Sequence, residues 1–336
     1  MTTILPPTLP AILPPFLVVS LNPTLQKTMV FDNFTTGEVN RAVKIRTDAS
    51  GKGVNITRVL HQLDQDVLHL THVGGAGTEQ FLSLCAQDTL NLQTVAGGTK
   101  IRICTTIIDR GRNQTTELIE PGCSVEPSCE QEVLEHFYRL LPSFGTLIVS
   151  GSTAPGYHSD LFARMTADAR RHNLSVLLDI RGPMLKEVLT GSRKMLPHIL
   201  KINLQELSET FFPANEGTLP EHSVNPEILS AAADVMKTLG SRGIVPIITR
   251  GRRAVLSLSE EGNVCASEPQ KITAYNTIGC GDAFTAGLVA GLSKKPDLEQ
   301  ALHTAHDIAA RNAAQLKPGT IVQEELDQLE SSAYIP

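Results

Sequence analysis

The amino-acid sequence predicts an α/β fold, a mostly parallel sheet that carries helices on both faces. Short apolar runs, of which FLVVSL at 16–21 is the first, alternate with longer segments of helical periodicity. Tryptophan is absent and aromatic residues make up only 4% of the 336 residues. The core must therefore be built from Leu, Ile, Val and Ala, which favours a layered α/β structure over an aromatic-rich sandwich.

The alternation can be followed along the whole chain. The runs predicted to be strands are 16–21, 68–73, 146–151, 175–180, 198–203, 244–249 and 254–259. The segments predicted to be helices are 54–63, 78–90, 130–140, 160–172, 226–239, 283–292 and 298–315. Because strand and helix alternate this often, neighbouring strands are expected to run parallel and to end at one common edge.

Two half-polar, β-rich stretches interrupt this alternation. Residues 26–48 and residues 99–120 each predict a pair of strands joined by a turn. We expect them to form a small separate sheet, made by about 24–48 and 99–120. Such a sheet is suited to close as a lid over a site at the carboxyl edge of the main strands.

The two ends of the chain differ in character. The first fifteen residues contain five prolines and no Lys or Arg, which argues against a secretory signal and predicts a disordered extension over 1–15. The remainder, 16–336, is predicted to be one domain that includes the lid.

Composition and charge exclude several classes of protein. The formal net charge of −6 argues against non-specific binding of nucleic acid. No apolar run of about 20 residues predicts a membrane span. The six cysteines show no CxxC spacing and indicate reduced thiols in a cytoplasmic protein. A disulfide between Cys123 and Cys129 is the less favoured alternative.

The segment NTIGCGDAF, 276–284, precedes a run of small and apolar residues that predicts a buried helix. Backbone N–H groups of a glycine turn at a helix N-terminus can hold a phosphate. An acid at that point, Asp282, can act as a general base. The alternative interpretation is a tight loop in which Asp282 caps the helix.

Two further segments each allow a ligand-binding and a structural interpretation. In SGKGVN, 50–55, the glycines permit a polar ligand to lie on the backbone while Lys52 and Asn55 contact it, or form an ordinary turn with a surface lysine. In KINLQEL, 201–207, Asn203 and Glu206 can organise water around Mg²⁺, or Asn203 can cap a helix.

The segment HVGGAGTEQF, 72–81, follows a predicted strand and opens a predicted helix. A dinucleotide-binding turn needs a third glycine at the position that Gln80 occupies. The segment is therefore interpreted as a tight strand-to-helix turn.

Taken together, these segments resemble the PfkB branch of the ribokinase family, from about 21 to 320. NTIGCGDAF resembles the C-terminal signature Asp-Thr-x-Gly-Ala-Gly-Asp, and SGKGVN resembles Gly-Gly-Lys-Gly-x-Asn. KINLQE resembles the Asn-x-x-Glu element, and VSGSTAPG and EPG resemble two further family turns. The lysine in the glycine motif and SLNPTL near the start are similar to the 1-phosphofructokinase and tagatose-6-phosphate kinase branch.

This resemblance implies a ribokinase-like three-layer α/β/α fold with a β-lid, ATP as phosphoryl donor, Mg²⁺ as metal ion, and a sugar or sugar phosphate as acceptor. It implies that Asp282 is the catalytic base and that Gly279, Cys280 and Gly281 form the anion hole. It also implies that the apolar face of the lid pairs with its twin in a homodimer.

The remaining site residues follow from the same resemblance. Those expected to contact the sugar or its phosphate are Gln26, Gly51, Lys52, Gly53, Asn55, Lys100 and Arg102. Those expected at the nucleotide are Lys201, Asn203, Thr249, Gly251 and Asn312. Asn203 and Glu206 are also expected to hold the metal through water.

The chain departs from the family pattern mainly at the residues that are expected to bind the sugar. Gln26 stands in place of the Asp that anchors sugar hydroxyls, and Lys100 in place of a phosphate-binding Arg. Ser50 replaces a glycine. Two alternatives therefore stay open: a kinase of an unphosphorylated sugar or nucleoside, and a non-catalytic regulator that binds sugar or nucleotide.

Overall fold

This computed structural model describes residues 9–212 and 226–322. These residues contain two separate β-sheets and nine α-helices. The strands are β1 (Phe16–Val19), β2 (Thr24–Phe31), β3 (Lys44–Ser50), β4 (Val67–Val73), β5 (Leu92–Ala96), β6 (Arg102–Asp109), β7 (Gln114–Ile119), β8 (Thr146–Ser150), β9 (Ser175–Asp179), β10 (Ile199–Asn203), β11 (Val245–Arg250), β12 (Arg253–Leu258) and β13 (Val264–Ser267).

The helices connect these strands along the chain. They are α1 (Lys52–Gln62), α2 (Thr78–Gln87), α3 (Cys129–Leu140), α4 (Leu161–Arg171), α5 (Gly182–Leu189), α6 (Leu204–Phe211), α7 (Pro226–Ser241), α8 (Cys280–Lys294) and α9 (Leu298–Ala313).

The larger sheet has nine strands in the order β13-β12-β11-β10-β9-β8-β1-β4-β5. Pairing is parallel from β5 through to β11, while β12 and β13 continue the sheet in antiparallel fashion. Every residue of β8 and of β9 is buried, as expected for strands covered on both faces. The parallel strands bring their carboxyl ends to one edge, where a site can form.

Helices cover both faces of this sheet, so the predicted three layers are confirmed. On one face, α3 and α4 pack against the strands with fully buried side chains such as Phe137 and Phe162. On the other, α1, α8 and α9 pack around Phe16 and Ile148. Burial of this aliphatic surface is the main force holding the layers together.

The small separate sheet that was predicted as a lid is confirmed as a sheet, in the order β3-β2-β6-β7, and its role as a lid stays a prediction. β2 pairs antiparallel with β3 and parallel with β6, so that Gln26 lies opposite Asp48 on one side and Cys104 on the other. Val30 and Ile108 of this sheet pack with Leu316 from the loop after α9. One face of this sheet therefore packs against the segment that follows α9.

The N-terminal stretch differs from its prediction. Residues 1–8 of the extension predicted to be disordered lie outside the described residues, as do 213–225 and 323–336. Within 9–15, however, Ile12 is buried, and the backbone N–H of Leu13 donates to Thr146 Oγ1 at 3.1 Å. This part is docked against the amino-terminal edge of the sheet, because Ile12 completes an apolar cluster there.

Four elements that no periodicity had indicated complete the fold: β5, α5, α6 and β13. All six cysteines are free, so the alternative disulfide between Cys123 and Cys129 does not form.

No α-helix in 9–212 or 226–322 combines the length and the apolar character that a membrane crossing requires.

Candidate active site

The glycine turn at 279–281 leads directly into α8. Gly279 is the residue before the helix and has a left-handed backbone, with φ +79°. A Cβ at this position would lie 2.9 Å from the backbone nitrogen of Gly319, so only glycine fits. Asp282 is the third residue of the helix and makes no capping hydrogen bond. The interpretation of Asp282 as a helix cap is therefore wrong.

Asp282 is a buried carboxylate with one close hydrogen-bond donor. Asn55 Nδ2 donates to Asp282 Oδ2 at 2.7 Å. Burial raises the pKa of Asp282 to about 6, although the Lys52 ammonium and the Asn55 amide act in the opposite direction. A carboxylate with such a pKa is ionised at neutral pH and basic enough to accept a proton from a hydroxyl.

Lys52, the first residue of α1, contacts two carboxylates, Asp179 at the end of β9 and Glu206 in the first turn of α6. Its Nζ lies 3.2 Å from Asp179 Oδ1 and 3.1 Å from Glu206 Oε1. Burial alone would lower the pKa of Lys52, but these carboxylates raise it above its ordinary value. Lys52 is thus a fixed positive charge and not the surface lysine of the alternative interpretation.

Asp179, at the end of β9, is the centre of the charged network. It is fully buried and accepts from Lys52, from Lys201 Nζ at 3.0 Å and from Thr285 Oγ1 at 3.2 Å. Burial works against ionisation, yet the two ammonium groups hold the pKa of Asp179 below its ordinary value. Sequence reasoning missed this residue, whose only signal is an acid that ends the apolar run SVLLD.

Lys201 connects this network to the glycine turn. Its side chain is buried, and its Nζ lies 3.2 Å from where a Cβ of Gly281 would be. The cation therefore stands beside the backbone that was predicted to hold a phosphate.

Asn203 and Glu206 form a capping box at the start of α6. Asn203 Oδ1 accepts from the backbone N–H of Glu206 at 2.7 Å, and Glu206 Oε2 accepts from the backbone N–H of Asn203 at 3.3 Å. The structural interpretation of Asn203 is thus confirmed, and the metal role of both residues stays a prediction. The described ranges contain no ready-made cluster of three or more His, Cys, Asp or Glu ligands.

The predicted nucleotide residues lie near the same edge but are held by the protein itself. Asn312 Nδ2 donates to the carbonyl oxygen of Ile278 at 2.9 Å, and its Oδ1 accepts from the backbone N–H of Gly319 at 2.7 Å. Thr249 is the register partner of Asn203, and Gly251 follows in the turn between β11 and β12. Their contacts with a nucleotide stay predictions.

The residues predicted to read the sugar divide into two groups. Lys52 and Asn55 join the buried network around Asp282, and Gly51 and Gly53 place them there. A Cβ on Gly53 would lie 2.3 Å from Ser20 Cβ, so close packing under α1 requires this glycine.

The other group lies on the lid. Gln26 is buried and donates to Thr106 Oγ1 at 2.7 Å, and Arg102 Nε donates to Thr24 Oγ1 at 2.9 Å. Lys100 is about half exposed, with its Nζ 3.6 Å from Glu120 Oε2. Lys100 therefore pairs with a lid carboxylate and not with the network around Asp282.

Known proteins that are similar to this chain are carbohydrate kinases. The profile of the family described as pfkB family carbohydrate kinase matches residues 20–324. A tagatose-6-phosphate kinase of Staphylococcus epidermidis is 29% identical over 324 residues, which cover 93% of this chain and 96% of the relative. A 1-phosphofructokinase of Xanthomonas campestris is 30% identical over 288 residues, which cover 84% of this chain and 86% of the relative.

Solved structures show the same fold at lower identity. Phosphofructokinase-2 of Escherichia coli, in complex with potassium, superposes with a TM-score of 0.74 at 18% identity and covers 90% of this chain and 93% of its own. A protein described as a possible 1-phosphofructokinase of Thermotoga maritima gives a TM-score of 0.77 at 19% identity, covering 94% and 96%. The match to the family profile spans most of the chain, and the chain belongs to the pfkB family of carbohydrate kinases.

Proposed function

We propose that the protein transfers the γ-phosphoryl group of ATP to a hydroxyl of a hexose phosphate such as fructose 1-phosphate, fructose 6-phosphate or tagatose 6-phosphate, with Asp282 as general base. The observation that carries this proposal is the buried carboxylate of Asp282, with a pKa of about 6, directly after the glycine turn 279–281. The relatives named tagatose-6-phosphate kinase and 1-phosphofructokinase support the choice of acceptor.

Phosphoryl transfer depends on positioning and on neutralising charge more than on covalent chemistry. In the proposed reaction, the backbone N–H groups of Gly279, Cys280 and Gly281 hold the γ-phosphate at the positive end of α8. Lys201, beside this turn, and Lys52 supply fixed positive charge. Asp282 then takes the proton of the attacking hydroxyl, which lies between its carboxylate and the phosphate.

Magnesium fits this site as an ion bound mainly by nucleotide phosphates. Mg²⁺ keeps several waters and needs only one or two protein carboxylates. Asn203 and Glu206 would hold it through water at the end of β10, where the Glu206 carboxylate also contacts Lys52. When bound, the ion supplies neutralisation of the phosphate charge.

Binding of the sugar phosphate requires contacts from the lid. We assign Gln26, Lys52, Gly53 and Asn55 to the sugar, and Lys100 and Arg102 to its phosphate. Arg102 is half-buried and is the register partner of Thr24. Thr24 and Gln26 are alternate residues of β2 and point to the same face, so Arg102 shares that face with Gln26. On the nucleotide side, we assign Thr249, Gly251 and Asn312 to ATP.

The lid also offers a surface for a second copy of the chain. Ile45, Ile103 and Leu118 lie on one face of this sheet and are 55%, 42% and 55% exposed. Apolar side chains grouped on a sheet face favour association. We propose a homodimer that buries this face.

A second candidate is a kinase of an unphosphorylated sugar or nucleoside. The observation that favours it is Gln26, because an amide donates as well as accepts and need not anchor the same hydroxyls as a carboxylate. The third, a non-catalytic regulator, conflicts with the complete set of Asp282, Lys52 and the glycine turn.

The test is a panel of acceptors assayed by ATP consumption with purified protein and Mg²⁺. Fructose 1-phosphate, fructose 6-phosphate, tagatose 6-phosphate, their free sugars and common nucleosides are compared at equal concentration. Asp282→Asn, purified in parallel, controls for contaminating kinases. The proposal expects one hexose phosphate to be consumed far faster than any free sugar. Preference for a free sugar or a nucleoside would establish the second candidate, and no turnover of any acceptor the third.

A further inference from the structure

We propose that Ser50 and Arg58 are positioning residues, which hold the carboxamide of Asn55 in the one orientation that directs its N–H groups at Asp282. This inference rests on the proposed role of Asp282 as base. It assigns a task to Ser50, which stands where the family signature has glycine, and to Arg58, which lies outside the signatures.

The hydrogen bonds of Asn55 carry the proposal. Its Oδ1 accepts from Ser50 Oγ at 3.2 Å and from Arg58 Nη1 at 3.2 Å. Its Nδ2 donates to Asp282 Oδ2 at 2.7 Å. Both ends of the amide are therefore occupied, with Asn55 itself only 3% exposed.

The chemistry of the partners permits one orientation only. A guanidinium group donates and cannot accept, and an ionised carboxylate accepts and cannot donate. If the amide of Asn55 turned over, its NH₂ would face the donors of Arg58 and its oxygen would face the Asp282 carboxylate. Both contacts would be lost inside the protein, where an unpaired polar group is costly.

Arg58 is rigid enough to impose this choice. Its side chain is almost fully buried, and Nη1 also donates to the carbonyl of Pro318 at 3.0 Å while Nη2 donates to that of Ala49 at 2.6 Å. Its Nε donates to Asp88 Oδ2 at 2.8 Å. A planar guanidinium held from three sides cannot follow a rotating amide.

Ser50 adds a donor that a glycine lacks. It is the last residue of lid strand β3 and is 3% exposed. The family that the sequence resembles carries glycine at this position, so the second donor to Asn55 is a property of this chain. Ser50 also links the end of the lid to the amide that faces the base.

The consequence is a stronger preference of Asp282 for its ionised form. A hydrogen bond from Asn55 stabilises the carboxylate against burial. The charged groups that face it are Lys52 from α1, Asp179 from β9 and Lys201 from β10. The hydrogen bonds of Ser50 and Arg58 go to other residues. If the Asn55 carboxamide is no longer held in place, the pKa of Asp282 should therefore rise while the rest of the site is unchanged.

The experiment is a double-mutant cycle read as kcat/KM against pH, on the intact protein with its best acceptor from the panel. The variants are Ser50→Ala, Arg58→Lys, Asn55→Ala and the double variant Ser50→Ala/Asn55→Ala. Ser50→Ala should lose roughly 2- to 10-fold near pH 6, the worth of one hydrogen bond, and recover near pH 8. Arg58→Lys should move the acid limb in the same direction and further.

The double variant decides whether Ser50 acts through Asn55. Once the amide is absent, Ser50→Ala should cause no additional loss. The matched control is Ser175→Ala, another buried serine that donates one hydrogen bond, to the carbonyl of Ala11 at the opposite edge of the sheet. It should leave the pH profile unchanged.

Two results would overturn the inference: a loss from Ser50→Ala that persists in the Asn55→Ala background, or a Ser50→Ala pH profile that matches the wild type. If Arg58→Lys does not fold, the Ser50 cycle alone decides. Failure of the proposed function is distinguished by a different variant: if Asp282 is not the base, Asp282→Asn retains turnover.

Discussion

Asp179 and Asp282 are both buried at the carboxyl edge of the main sheet, yet their pKa values move in opposite directions. Two ammonium groups contact Asp179 and keep its pKa low. Asp282 has one close amide donor, and burial raises its pKa to about 6. The first carboxylate organises positive charge, and the second is left able to exchange a proton.

Replacing the proposed base tests this division most directly. Asp282→Asn keeps the shape of the side chain but removes the proton acceptor. We expect kcat to fall by roughly 10²- to 10⁴-fold, the usual contribution of a general base, with ATP affinity nearly unchanged. Steady-state kinetics and nucleotide titration measure the two quantities. Turnover close to that of the wild type would remove Asp282 from the mechanism.

The raised pKa also predicts how activity depends on pH. Because the base must be ionised, kcat/KM should fall below about pH 6, well above the range of an ordinary Asp. An acid limb near pH 4 would contradict the assignment. The Asp179→Asn variant is not a suitable control here, since it alters both lysines.

The titration of Asp282 should also change the stability of the fold, which is expected to decrease as pH rises. The folded pKa of Asp282 lies above its unfolded value, so the protonated form stabilises the fold at low pH, and this contribution is lost as pH rises through about 6. The Tm of Asp282→Asn relative to the wild type should therefore increase between pH 4 and pH 7. A constant difference across this range would contradict the pKa shift.

At the scale of single residues, the sequence predicted the glycine turn before α8 and a base role for Asp282, which stays a prediction, but it did not predict the contacts of Asp179 and Arg58. Gly279, Gly281 and Asp282 have a recognisable spacing. Asp179 and Arg58 have none, because each is held in part by a distant segment: Lys52 is 127 residues from Asp179, and Pro318 is 260 residues from Arg58. Such contacts exist only after the chain has folded.

At the scale of elements, the packing of α8 on α9 fixes where the glycine turn lies. A Cβ on Gly287 would lie 2.9 Å from Ala305 Cα, and one on Gly291 would lie 2.9 Å from Ala301 Cα. The two helices can approach this closely because α8 carries small residues on the shared face. The small residues after Asp282 are thus explained by helix packing.

This contact predicts a specific sensitivity to side-chain size. Gly287→Val should lower the free energy of unfolding by about 1 to 3 kcal/mol, because it forces the helices apart. Denaturant titration measures this change. Lys294→Val, at an exposed position of the same helix, is the control and should have a much smaller effect. A Gly287→Val variant as stable as the wild type would contradict the packing argument, because valine has the higher helix propensity and only the contact with α9 opposes it.

Most elements were predictable because their periodicity is strong, and the exceptions have physical reasons. β5 reads LQTVA, with only one buried residue, so it lacks an apolar run. α5 has eight residues and begins with Gly182 and Pro183, which resemble a turn. α8 begins at Cys280, three residues before the predicted start, because tertiary contacts stabilise glycines that disfavour helix on propensity alone.

At the scale of the whole molecule, the lid decides the proposed assembly. Leu118→Glu places a charge on the exposed apolar face and should convert a dimer into a species with the mass of one 36.3 kDa chain. Light scattering after size-exclusion chromatography measures the mass. The matched control is Ile119→Glu, on the same strand, equally exposed but on the opposite face. A wild type that is already monomeric would contradict the proposal.

The distance along the chain between the parts of the site has a consequence for biosynthesis. The contact of Asn55 with Asp282 spans 227 residues, and that of Arg58 with Pro318 spans 260. The chain must therefore be synthesised through Pro318 before Asp282, Asn55 and Arg58 can all take these positions. A product that ends before Asp282 lacks the contact with Asn55, so the proposed catalytic centre can be completed only late in synthesis.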